Sequence, residues 1–135
     1  MANKRILLAE DTEQTRITFG AILRKAGYDV VAVADGREAL SKILTLEKET
    51  NQADLLITDI RMAGLDGLQL ADQLDKLRIR IPILAMTGYG DKDLVVELMR
   101  RGCLEYIEKP FEAIELLECV ARIFKKVDQR ASQKK

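Results

Sequence analysis

The stretch Asp54-Leu55-Leu56-Ile57-Thr58-Asp59-Ile60-Arg61-Met62 is an apolar run that ends in a carboxylate, and it breaks at once into Ala63-Gly64-Leu65-Asp66-Gly67. Leu55, Leu56 and Ile57 follow one another without polar alternation, the pattern of a central parallel strand covered on both faces. Asp59 then stands at the carboxyl end of that strand, and in open α/β sheets the crevice beyond those ends is where ligands bind. Three other segments reach the same edge if all four strands run parallel: 4–9 ends in Glu10-Asp11, 81–86 in Thr87-Gly88, and 104–108 in Lys109-Pro110. Carboxylates, one hydroxyl and one ammonium gathered at one edge are the ingredients of a metal-assisted phosphoryl site.

Outward from this run, helical and strand patterns alternate from end to end, which predicts an α/β domain with a parallel sheet. Phe19, Ile22, Leu23 and Ala26 recur at helical spacing, so 13–25 reads as an amphipathic helix closed by Gly27. A short β-branched strand over 29–34 follows, then Asp35-Gly36, where Asp35 can cap a helix lined by Ala39, Leu40, Ile43 and Leu44. Residues 67–77 carry Leu70, Ala71, Leu74 and Leu77 on one side, a third helix that Pro82 keeps from continuing. A fourth helix over 92–101 turns Leu94, Val95, Leu98 and Met99 inward, and Gly102 ends it. Leu104 to Glu108 reads as an exposed edge strand because Glu105 and Glu108 interrupt it.

The last helix, 112–127, buries Leu117, Val120, Ala121 and Phe124. Its acids lie early and its bases late, which suits the helix dipole, and Glu118 and Arg122 are spaced as a favourable i, i+4 pair. The expected organisation is one domain over 1–127 and a polar, fraying tail over 128–135.

With 135 residues, the chain is long enough for a substantial core. Lys plus Arg and Asp plus Glu both number 22, so no bulk charge argues for direct binding of nucleic acid or a membrane surface. The apolar runs are too short to span a bilayer and nothing resembles a signal peptide, so a cytoplasmic location is expected. Cys103 and Cys119 lack metal or redox spacing and read as buried free thiols. The absence of histidine excludes Ser-His-Asp catalysis and histidine-ligated zinc. What remains is carboxylate and carbonyl oxygen, which selects hard cations such as Mg2+.

Taken singly, these residues are ordinary: an acid after a strand usually caps a helix, and a lone lysine is a solvated charge. Their coincidence at one sheet edge is not ordinary, because crowding Glu10, Asp11 and Asp59 costs Coulomb repulsion unless a divalent cation or Lys109 compensates. Mg2+ held by Asp11 and Asp59 could bridge to a phosphoryl oxygen, with Asp59 as a carboxylate nucleophile that is already ionised at neutral pH. Thr87 could hydrogen-bond one phosphoryl oxygen and Lys109 pair with another.

On Leu7-Leu8-Ala9-Glu10-Asp11, Thr58 through Gly67, Met86-Thr87-Gly88 and Lys109-Pro110-Phe111, in this order and at these intervals, the chain resembles a response-regulator receiver domain of two-component signalling, chemotaxis-regulator-like, over residues 4–127. The resemblance implies a flavodoxin-like doubly wound (βα)5 sandwich with a five-stranded parallel sheet of order 2-1-3-4-5. It implies Asp59 as phosphoacceptor, Asp11 as a direct Mg2+ ligand, Glu10 acting on the metal largely through water, and Arg61 ligating by its backbone carbonyl. It also implies a cis Lys109-Pro110 peptide, and a switch in which Thr87 moves and Tyr106 turns inward, reshaping the face of the fourth helix, fifth strand and last helix. Ala63 departs from the proline common at its position, and Glu10 from a frequent aspartate.

The partners so implied are a sensor histidine kinase or histidine phosphotransfer protein, and a downstream protein on the switching face, the chain being a monomer or a phosphorylation-dependent dimer. It would not be a turnover enzyme. A phosphohydrolase with an aspartyl intermediate would want a second aspartate where Arg61 stands, and a flavodoxin-like cofactor protein would want a phosphate-cradling loop where Glu10-Asp11 would repel phosphate. No P-loop or dinucleotide fingerprint is present. The remaining alternatives are a receiver-shaped interaction module that is never phosphorylated, and a receiver fragment of a larger regulator or hybrid kinase; the Met1 start fits a single-domain receiver or an N-terminal fragment.

Overall fold

A computed structural model describes residues 3–133, with side-chain surroundings to residue 130. Strands and helices alternate: β1 (Arg5–Ala9), α1 (Glu13–Lys25), β2 (Asp29–Val33), α2 (Gly36–Lys48), β3 (Leu55–Asp59), α3 (Gly67–Lys76), β4 (Ile83–Thr87), α4 (Lys92–Arg100), β5 (Cys103–Glu108) and α5 (Ala113–Gln133). The five strands are all parallel and run in the order β2-β1-β3-β4-β5. The expected α/β doubly wound architecture is therefore the one observed.

Two apolar layers explain why the central strands read as unbroken hydrophobic runs. Successive side chains point to opposite faces, so Leu7, Leu56, Ile83 and Ala85 pack with Ala39, Ile43, Leu70, Leu74 and Leu98 of α2, α3 and α4. Ile6, Leu8, Leu55, Ile57, Leu84 and Met86 pack with Leu23 of α1 and with Leu116, Val120, Ile123 and Phe124 of α5. Both faces are buried, and the carboxyl ends of β1, β3 and β4 open together on one edge.

The connections are built from local chemistry. Asp35 accepts from the Glu38 N–H at 2.8 Å and starts α2. Asp66 and Gln69 form a reciprocal capping box at α3, each side chain bonded to the other's backbone N–H. Two glycines fix the loop between β3 and α3 by their lack of a side chain. A Cβ on Gly36 would lie 1.8 Å from the Leu65 carbonyl oxygen, and one on Gly67 would lie 2.6 Å from that of Asp59.

Leu44, Leu77, Met99 and Ala121, expected on the inner faces of their helices, are exposed, and three further expectations change. First, α5 continues to Gln133, so 128–133 of the expected fraying tail is helical, and 134–135 lies outside the described residues. Lys4 reaches Asp128 at 3.6 Å, a tertiary contact on that added turn. Second, Arg122 pairs with Glu105 of β5 at 2.8 Å; a contact between elements displaces the i, i+4 partner Glu118. Third, simple alternation in β5 fails because the register slips at its start: Cys103 sits opposite Ile83 but Glu105 opposite Leu84. The slip turns Glu105 towards α5, where Arg122 and Lys126 hold it, rather than leaving it as a solvated edge charge.

Candidate functional site

Glu10 leaves the end of β1 completely buried. Its carboxylate survives there because each oxygen has a donor: Oε2 accepts from the Thr12 N–H at 3.0 Å, and Oε1 from the Lys109 ammonium at 2.5 Å. Asp59, the last residue of β3, is only 6% exposed, and its Oδ1 lies 2.7 Å from the same Lys109 nitrogen. One ammonium thus bridges two acids that arrive from different strands. Asp11 is exposed beside them, and Glu10, Asp11 and Asp59 each place a carboxylate oxygen within 4.8 Å of the others.

This crowding sets the protonation of the site. Burial pushes the Asp59 carboxyl up to about 8, the neighbouring Glu10 adds to the rise, and Lys109 opposes it without cancelling it. Burial also works against a charged Glu10, but hydrogen bonds with Asp59, Lys109 and the Thr12 N–H outweigh it and hold Glu10 below the ordinary carboxylate range. Burial disfavours the Lys109 ammonium too, and its bonds to Asp59 and Glu10 more than restore it. At neutral pH the metal-free pair therefore carries a proton on the Asp59 side. A divalent cation would supply the missing compensation, and an all-oxygen donor set with no imidazole or thiolate fits a hard ion such as Mg2+.

The other expected residues fall as follows. Thr87 ends β4 on the strand next to Asp59, is 3% exposed, and its hydroxyl donates to the Ile107 carbonyl at 3.4 Å. Tyr106 on β5 is half-exposed. Lys109-Pro110 is cis, and the Lys109 N–H donates to the Thr87 carbonyl at 2.8 Å. The Arg61 guanidinium turns to Asp91, its Nε donating to Asp91 Oδ1 at 2.6 Å. Both cysteines are free and buried.

Asp91 carries no signal in the sequence beyond its place just before the fourth helix. It is 4% exposed, and its second oxygen accepts from the Gly88 N–H at 2.7 Å. Nothing local in the sequence marks a bond to Arg61, thirty positions away; only the adjacency of β3 and β4 brings the two loops together.

The family model described as the response regulator receiver domain matches residues 6–121. The chain belongs to that family. This receiver domain is 40% identical over 118 residues, 87% of the chain, to the response regulator protein FleR of Pseudomonas aeruginosa, and the match spans 24% of that longer protein. It is 30% identical to the sporulation initiation phosphotransferase F of Bacillus subtilis over 90% of the chain and 94% of that protein. Among solved structures, a CheY-like receiver domain protein from Methanospirillum hungatei superposes with a TM-score of 0.81 at 30% identity, covering 98% of this chain and 99% of the other.

A receiver domain is a signalling module of two-component systems rather than a turnover enzyme, and works with histidine kinases or phosphotransfer proteins on one side and effectors on the other. Receiver domains bind Mg2+ at an acidic pocket, and this chain has an acidic cluster in Glu10, Asp11 and Asp59. Among the described residues, no helix is long and apolar enough to cross a membrane.

Proposed function

We propose that this receiver takes a phosphoryl group from a sensor histidine kinase or a histidine phosphotransfer protein onto Asp59, in the cytoplasm, and that it then presents an altered face of α4, β5 and α5 to a downstream protein. The receiver proper occupies 1–127. The observation that carries the reading is the convergence of Asp59, Glu10 and Asp11 within 4.8 Å, with Lys109 bridging the first two.

In the transfer, an Asp59 carboxylate oxygen forms the new bond to phosphorus while the bond from phosphorus to the donor's imidazole nitrogen breaks. The electron pair leaves with the imidazole. Asp59 is not already ionised at neutral pH in the metal-free site, as its side chain alone suggested; its proton would be displaced when the divalent cation binds, and no general base is then needed. Asp11, Asp59 and the Arg61 backbone carbonyl would hold Mg2+, with Glu10 orienting its water. When bound, the ion neutralises charge that builds on the phosphoryl oxygens. Lys109 already stands at hydrogen-bonding distance from Asp59 and is placed to pair with one phosphoryl oxygen. Thr87 turns its hydroxyl from Ile107 to another, and Tyr106 moves inward as space opens behind it.

Acetyl phosphate with Mg2+, read by intact mass, tests this. One phosphoryl group should appear on the wild type and none on Asp59→Asn. Equal labelling of the variant, or no labelling of the wild type, contradicts the reading.

A further inference from the structure

Asp91 stands at the cap position of α4, yet its side chain accepts no bond from that helix's own N–H groups. Its two oxygens are taken instead by the Arg61 Nε–H, at 2.6 Å, and the Gly88 N–H, at 2.7 Å. The loop after β3 and the loop after β4 are thereby tied through one buried carboxylate. The Thr87–Gly88 peptide is clamped at both ends, its carbonyl by the Lys109 N–H and its N–H by Asp91. The Thr87 hydroxyl, donating to Ile107, is held by the same frame.

Two features make this tie releasable. Arg61 has 68% of its side chain exposed, so its guanidinium can re-aim without unpacking anything. Helix α4 is lightly held, with only Leu98 buried while Val96 and Met99 are exposed. We propose that Arg61, Asp91 and the Gly88 N–H form a latch that holds the loop after β4 in the unphosphorylated receiver and opens when Asp59 is phosphorylated.

The inference rests on Asp59 as phosphoacceptor and adds how that site is held off. A phosphoryl dianion on Asp59, two positions before Arg61, competes for the guanidinium with a stronger and bidentate acceptor. A buried carboxylate that loses its cation is costly, so Asp91 moves. It has a second place ready, the uncapped N–H groups in the first turn of α4, where aspartate is among the preferred caps. Leaving Gly88 frees the Thr87–Gly88 peptide to rotate and the Thr87 hydroxyl to leave Ile107. The start of α4 shifts with Asp91, whose own carbonyl accepts the bond from the Val95 N–H at 2.9 Å.

The test is a double-mutant cycle on the full chain with Arg61→Ala, Asp91→Asn and the pair. Asp91→Asn is nearly isosteric, so it should fold, which near-wild-type circular dichroism would check, and the loss of charge weakens the bonds that Asp91 accepts from both Arg61 and Gly88. Two readouts are used: amide exchange of Gly88 and the Arg61 Nε–H without phosphodonor, and the initial rate of Asp59 labelling by acetyl phosphate with Mg2+. A latch predicts faster exchange at Gly88 in each single variant, labelling faster by on the order of threefold to tenfold, and a double variant no faster than either single one. In the labelled wild type, protection should pass from Gly88 to the amides of Asp93 and Leu94. Additive effects, unchanged exchange in the single variants, or Gly88 and Arg61 still protected in the labelled protein would overturn the latch. Failure of the wild type to be labelled would instead sink the phosphoacceptor reading; the exchange arm, which needs no phosphodonor, would still decide whether Asp91 restrains the loop.

Discussion

Replacing Asp59 by asparagine should stabilise the metal-free protein, by an amount that depends on pH in a way the site dictates. Asp59 titrates near 3.8 when unperturbed and at about 8 in the fold, so between those values the native state holds a proton that the unfolded chain has released. Wild-type stability therefore falls as pH rises through this window and levels off above it. From 3.8 to pH 7 the linkage amounts to about 4 kcal/mol as an upper bound. Part of this is returned by Glu10, whose lowered pKa contributes stability that is present above its ordinary value of 4.5 and lost in acid. The variant loses part of that contribution, because the bond with Asp59 is the largest of those that lower Glu10, while Lys109 and the Thr12 N–H still hold it.

Asp59→Asn is neutral at every pH and has no such slope. The expected gain is about 2 kcal/mol at pH 7, or a rise in Tm of about 8 °C for a domain of this size. It should shrink towards zero below pH 4. Urea unfolding in a chelator at pH 4, 5, 6, 7 and 8, with unchanged m-values, measures it. A variant no more stable than wild type at pH 7, or a gain that is the same at pH 4 and pH 8, would refute the reasoning that burial and Glu10 together oppose ionisation of Asp59.

Four further outcomes are expected. Mg2+ should raise the wild-type Tm, bind more tightly as pH rises towards 8 because it must displace the Asp59 proton, and release that proton measurably in calorimetry repeated in two buffers; affinity independent of pH would contradict this. Gly36→Ala should lower stability by about 1–3 kcal/mol, since its Cβ would meet the Leu65 carbonyl at 1.8 Å, whereas Gly20→Ala in the middle of α1 meets only the flexible end of Arg24 and should raise it by about 0.5–1 kcal/mol; thermal melts compare them. Glu105→Gln should lower Tm at pH 7 and by less in acid, because burial is outweighed by Arg122, Cys119 and Lys126, Glu105 titrates below its usual range, and its contribution is lost as pH falls through that lowered value. Cys103 and Cys119 should resist a thiol reagent at pH 8 until the protein unfolds, because burial pushes both thiols up to about 11.

The sequence was most readable where one side chain's neighbours follow from strand order alone. Leu55, Leu56 and Ile57 declared a strand buried on both faces, and strand ends must then bring Glu10, Asp11, Asp59, Thr87 and Lys109 to one edge whatever the details of packing. Contacts that depend on the angle between elements were not readable. Arg122 had a local partner in Glu118 but finds Glu105 across the sheet edge, because the slip at the start of β5 turns that carboxylate towards α5. The same slip is invisible in a five-residue pattern. Gly36 looked like a turn residue, yet its role is clearance for the Leu65 carbonyl, a contact between two loops far apart in the chain. The helix beyond Val127 was missed because its residues are polar and carry no stripe, while the Lys4–Asp128 pair that touches it is tertiary.

The most direct measurement of the central claim is chemical trapping of the acceptor. The chain is incubated with Mg2+ and acetyl phosphate, reduced with borohydride, digested and sequenced by mass spectrometry; reduction converts an aspartyl phosphate to homoserine. Homoserine is expected at position 59 alone, with neither homoserine at Asp11 nor hydroxynorvaline, the corresponding product of a glutamyl phosphate, at Glu10. Homoserine elsewhere with position 59 intact would contradict it, as would no conversion at all in protein that binds Mg2+.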